Sequence, residues 1–252
     1  MQDAGVTFGG IPCLIVFFCF YLLVMIAGYR ILIVSGAFML LGCWVEKRPL
    51  TPYNHPSAKK EAPMTQPGKI ILINGASSAG KSTLARAVQQ QFPLPLLHIS
   101  FDLFIDGDIL PWPQIRAGTF AWQTMRPTVF DGYFRCWAAL AQAGNHLIID
   151  HIVETEASLR YMLQLLAGID VFFVALHCAL DELERREEAR GDRRSGDART
   201  DLAIVHRHTR YDLELHSDKA IVEENVAQLI AAWERRQRPS AFERMAAEIG
   251  VA

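Results

Sequence analysis

Cysteine is scarce and unpatterned in this 252-residue chain. The five thiols (Cys13, Cys19, Cys43, Cys136 and Cys178) are odd in number and form no C-x-x-C pair. No disulfide framework or zinc site is readable from them, and the expected state is reduced, as in the cytosol. An excess of one charge is also missing: 25 Lys and Arg stand against 27 Asp and Glu, a net charge of −2. There is therefore no basic footprint for nucleic acid. No internal repeat is visible. Hydrophobic residues make up 51 % of the chain and charged residues 21 %, with a mean hydropathy of +0.14. That composition excludes a disordered or collagen-like chain.

The high hydropathy is unevenly placed. Ile11 to Val45 carry one charge, Arg30. Ile11 to Tyr29 contain none, and as a helix would span roughly 28 Å, near the thickness of a bilayer core. A signal peptide is not expected, because Asp3 and no Lys or Arg precede the apolar run. Arg30, Lys47, Arg48, Lys59 and Lys60 all follow the first segment. A span over 11–29 would thus anchor the rest of the chain at the cytoplasmic face of a membrane. A second reading starts the protein at Met64 and leaves the segment untranslated. The expected divisions are an apolar segment 1–48, a proline-rich linker 49–68, a globular domain 69–238 and a tail 239–252. Residues 64–252 carry 20 basic and 24 acidic residues, a net −4.

From Lys69 onward the chain alternates short apolar runs with amphipathic stretches. Strands are expected at Lys69–Asn74, Leu96–Phe101, His146–Asp150, Asp170–His177 and Tyr211–His216. Helices are expected at Lys81–Phe92, Thr128–Ala143, Thr155–Ala167, Leu180–Arg190, Ala198–His208 and Val222–Arg238, with a short one in the tail. Strands apolar throughout, separated by helices, predict an α/β fold: a five-stranded parallel sheet covered on both faces.

Gly75-Ala76-Ser77-Ser78-Ala79-Gly80-Lys81-Ser82 matches G-x-x-x-x-G-K-[ST] between a strand and a helix. Small residues let backbone N–H groups close around phosphate oxygens, and the helix N-terminus faces the anion. Lys81 would reach the β- and γ-phosphates, and the Ser82 hydroxyl would ligate Mg²⁺. Thr83 completes the loop. Asp150, ending the strand HLIID, is the candidate acidic partner of the metal, with turn capping as its structural alternative.

Asp102 follows the run LPLLHISF and should emerge at the same sheet edge. It is the candidate base for a hydroxyl acceptor, with Asp106 and Asp108 as rivals further along and a helix N-cap role as the plain alternative. Residues 103–127 read as a long acceptor loop rich in Pro111, Trp112, Pro113, Phe120 and Trp122, with Arg116 and Arg126 interleaved. These aromatics would line a ring-bearing substrate or pack under the loop. The run Arg185–Arg194 reads as an arginine-rich lid hinged at Gly191 and Gly196. Arg186, Arg190 and Arg193 are its candidates for folding over phosphates.

The combination of GASSAGKS, LIID, HCALDELERREEARGDRRSGDA and IVHRHTRYDLELH resembles the chloramphenicol 3-O-phosphotransferase family over about Lys69 to Trp233. The resemblance implies a P-loop kinase fold, ATP with Mg²⁺, and transfer of the γ-phosphate to a hydroxyl of a small molecule, in the namesake reaction an antibiotic. It places the catalytic base on Asp102 and lid arginines on Arg186, Arg190 and Arg193. Val205-His206 and Tyr211-Asp212-Leu213-Glu214 match a further family element whose chemistry the residues do not state. The chain departs from the family in having Asp150-His151 where the family has Asp-Asp, and in its acceptor segment and its apolar N-terminus. Two alternatives remain at this stage: a kinase of another metabolite, such as a nucleoside or sugar acid, and a membrane-linked ATP-binding module without transfer.

Overall fold

The computed structural model describes residues 66–190 and 196–251. The apolar segment 11–45, most of the linker, and Arg193 with its lid neighbours lie outside them. Among the described residues no helix is long and apolar enough to cross a membrane.

Five parallel strands form one sheet in the order β2-β3-β1-β4-β5. They are β1 (Ile70–Asn74), β2 (Leu96–Ser100), β3 (His146–His151), β4 (Val171–His177) and β5 (Leu213–His216). Every residue of β1 is buried, as expected for a central parallel strand with helices on both sides. Alternation along it splits the core. Ile70 and Leu72 point to a layer with Tyr133, Phe134, Trp137, Met162 and Phe242. Ile71 and Ile73 point to a layer with Leu84, Val88, Leu229 and Trp233. The first layer is supplied by α4 (Trp122–Gln142), α5 (Glu156–Leu165) and α9 (Ala241–Glu248), the second by α1 (Lys81–Gln91) and α8 (Val222–Arg235). The remaining helices are α2 (Asp102–Asp106), α3 (Trp112–Arg116), α6 (Leu180–Arg190) and α7 (Asp197–Leu202).

Two elements differ from the sequence expectation for identifiable reasons. The expected long loop 103–127 contains α2, α3 and the first turn and a half of α4, which starts at Trp122 and carries Pro127 inside. A proline removes one helical hydrogen bond. Here the first turn is held by tertiary packing, with Trp122 against Trp112 at 5.4 Å between ring centroids and near Phe101 at 6.4 Å. The helix expected over Ala198–His208 stops at Leu202. Beyond it the chain continues as turns, and the Val205 carbonyl accepts a hydrogen bond from Asn74 Nδ2 at 2.9 Å, which ties this segment to the end of β1.

Candidate functional site

The phosphate loop is built by the end of β1. Strand pairing sets Ile73 opposite Asp150 and Asn74 opposite His151 on one side, and Asn74 opposite Ala175 on the other. The loop therefore leaves the sheet at its carboxyl edge between two neighbours, where open α/β sheets bind ligands. Gly75 is required by crowding, since a Cβ there would lie 2.5 Å from the Leu176 carbonyl oxygen. Gly80 has φ of +89° and stands immediately before α1. Ser78 also adopts positive φ, 62°. Its Oγ is buried without a hydrogen-bond partner among the described residues. An unsatisfied hydroxyl and a turn of small residues at a helix N-terminus fit a bound phosphate chain. Lys81 opens α1 and its Nζ donates to the Ala76 carbonyl at 2.7 Å, folding back over the loop. Ser77 N–H donates to Asp201 Oδ2 at 3.0 Å, so α7 is tied directly to the loop. Ala76 and Ala79 are buried beneath it, while Thr83 is exposed on α1.

Asp150 is 5 % exposed. Its register partners are Ile73 on one strand and Ser100 on the other, and His98 Nε2 lies 2.9 Å from its Oδ2. Burial alone would raise its pKa, but hydrogen bonding from His98, Ser100 and Ser82 outweighs burial and holds it below the usual carboxylate range. The carboxylate thus stays ionised beside the Ser82 hydroxyl. Among the described residues no three His, Cys, Asp or Glu side chains cluster as a metal site. One hydroxyl and one carboxylate suit Mg²⁺, which keeps several waters and takes phosphate oxygens.

Asp102 begins α2 two residues beyond Ser100, with its N–H donating to Ser100 Oγ at 3.3 Å. Asp106 and Asp108 are exposed at and beyond the end of α2. The negative charges of Asp150 and Asp102 both reach the buried Tyr133 phenol, whose pKa is raised well above normal, first by burial. Around that ring the aromatics form a wall. Phe101 stacks on Phe130 at 4.4 Å, and Tyr133 meets Phe101 edge-on at 5.3 Å. Trp112 and Trp122 belong to the same region, whereas Phe120 is 45 % exposed and Arg116 is exposed. Arg126 lies over Phe130 at 4.6 Å and donates to both Glu154 carboxylate oxygens at 2.7 and 2.6 Å.

His151 turns into this wall, 5.3 Å from Trp137 and 5.2 Å from Phe134. Burial, then the charge of Lys81 and that of Arg126, push its pKa down to about 3, against an opposing pull from Asp150. A neutral imidazole therefore sits buried among Phe130, Tyr133, Phe134 and Trp137.

Arg186 and Arg190 line a separate pocket. This pocket, of about 390 Å³, runs from Ser78 and Gly80 past Arg186 and Arg190 to Ala220 and Asn225. Arg186 donates to the Ser217 carbonyl at 3.0 Å, to Ser217 Oγ at 3.1 Å and to Glu182 Oε1 at 2.6 Å. Arg190 is exposed at the end of α6.

Several residues had no assigned role from sequence. Asn74 donates to the Tyr211 hydroxyl at 2.7 Å and accepts from Val153 N–H at 2.9 Å. Asp212 accepts from Phe173 N–H at 2.8 Å and Ala241 N–H at 2.6 Å. Glu187, 4 % exposed, accepts from the N–H groups of Gly196 and Ala198, both at 2.8 Å. The one signal available for Asn74 was a polar residue closing an apolar strand directly before the loop.

A family model described as chloramphenicol phosphotransferase-like protein matches residues 68–234. Two curated proteins of Mycobacterium tuberculosis, from strains CDC 1551 and H37Rv, bear the name "Putative O-phosphotransferase". Each is 30 % identical over 197 residues, which cover 71 % of this chain and 88 % of the relative. The structure is similar to the Mycobacterium tuberculosis APS kinase solved in complex with AMPPNP and APS. The TM-score is 0.51 at 21 % identity, covering 67 % of this chain and 98 % of that one, a likeness that establishes the shared fold.

Proposed function

The chain belongs to the chloramphenicol phosphotransferase-like family, and from that premise we propose that it transfers the γ-phosphate of ATP to a hydroxyl of a small molecule, with Asp102 as general base. One observation carries the reading. The register sets Asp150 beside Ser100 and Ile73, which gathers the phosphate loop, a carboxylate touching Ser82 and the emerging Asp102 at one sheet edge.

ATP would supply the phosphoryl group, and Mg²⁺, held by Ser82 and by Asp150 through water, would offset phosphate charge. The Gly75–Thr83 loop holds the β- and γ-phosphates through backbone N–H groups and Lys81. Arg190 and Arg193 neutralise charge that develops on the transferring group, and Arg186 binds the nucleotide. Asp102 accepts the acceptor's hydroxyl proton. The partly exposed aromatics Phe101, Phe130, Trp112 and Trp122 would contact the acceptor beside Asp102. Catalysis is then positioning and charge stabilisation.

The expected outcome for Asp102→Asn is unchanged ATP affinity by calorimetry and a loss of roughly 10²- to 10⁴-fold in transfer rate. Retained transfer removes Asp102 from the role of base. Chloramphenicol is the first acceptor to assay, with nucleosides and sugar acids beside it. Turnover of another hydroxyl but not of chloramphenicol keeps the phosphotransferase and replaces the acceptor. ATP hydrolysis equal with and without every acceptor favours an ATP-binding module instead.

A further inference from the structure

The far end of the pocket beside the phosphate loop holds a polar group with no role in phosphate binding. Asn225, in the first turns of α8, is 3 % exposed and lines the pocket with Ala220 and Val222. Its Nδ2 donates to the His216 carbonyl at 3.2 Å and to the Ala220 carbonyl at 3.3 Å. Both partners are pure acceptors, so the amide can sit only one way round. That orientation leaves Oδ1 as a buried acceptor with no donor among the described residues. Buried acceptors are nearly always satisfied, and this one belongs to a side chain that lines the pocket. Around it Leu176, Ala189, Ala220 and Val222 offer apolar surface to the faces of a flat ring.

We propose that Asn225 selects the nucleobase, its Oδ1 accepting a hydrogen bond from the exocyclic amino group of adenine. A 6-oxopurine would set one acceptor against another and be rejected. The inference rests on the reading of this pocket as a nucleotide site.

The test compares equilibrium binding of ATP, GTP and purine riboside triphosphate, which carries hydrogen at the 6-position, to the full chain and to Asn225→Ala. The wild-type chain should bind ATP about tenfold or more tighter than either analogue. In Asn225→Ala, ATP and purine riboside triphosphate should bind alike. If Asn225 only braces the turn before α8, the substitution weakens all three nucleotides equally and the wild-type preference survives, which overturns the proposal. The wild-type series decides without any variant: equal affinity for ATP and purine riboside triphosphate also overturns it. Binding of none of the three would overturn the phosphotransferase reading itself, and the role of Asn225 with it.

Discussion

The Tyr211 hydroxyl has three polar neighbours and one proton to give. Asn74 Nδ2 and Thr209 Oγ1 donate to it at 2.7 and 2.5 Å, so it donates in turn to His206 Nδ1 at 2.7 Å. That chain requires His206 to be neutral, and burial, then His177, with a smaller push from Lys81, lowers its pKa to about 4. Tyr211→Phe should cost about 1–3 kcal/mol in urea unfolding, because it strips a partner from groups that stay buried. His206 and His151 also set a pH dependence. Both have folded pKa values below the unfolded value of about 6.5. The unfolded chain therefore binds more protons below that pH, and stability is full above it and falls as pH drops toward 4 and then 3. Each histidine should contribute a slope of about 1.4 kcal/mol per pH unit within its window. His151→Phe should remove one of the two slopes in acid unfolding followed by fluorescence.

At the scale of elements, the lid is tied at its root. Glu187 on α6 receives the N–H groups of Gly196 and Ala198 at the start of α7, and Asp201 on α7 receives that of Ser77 in the phosphate loop. The end of α6 and the start of α7 are thereby linked to the phosphate loop. Glu187→Ala should raise hydrogen exchange at 196–202 and lower transfer more than it lowers nucleotide affinity. Unchanged exchange there would show that Glu187 does not hold the root. Helix boundaries were legible where local signals set them, as at Lys81 after Gly80 and at Gly144 after α4. They were illegible where distant groups bear on them: Trp122 begins α4 packed against Trp112 and near Phe101, and past the end of α7 the Val205 carbonyl meets Asn74.

For the whole molecule, stability resides in the two apolar layers that the central strand divides. Leu72, fully buried at the middle of β1, should cost about 2–5 kcal/mol when replaced by Ala, measured by chemical denaturation, since the rigid sheet cannot close the cavity. The sequence alone determined the five parallel strands, the phosphate loop and the candidate carboxylates, because apolar runs, glycine spacing and strand ends are local properties of the chain. It could also locate the elements that match the family. Strand order, and with it the meeting of Asp150 with His98, Ser100 and Ser82, was decided only by tertiary structure. So were the neutral state of His151, the Tyr211 network and the unsatisfied oxygen of Asn225. Burial and hydrogen-bond partners belong to residues far apart in the chain, and periodicity carries no record of which of them will touch.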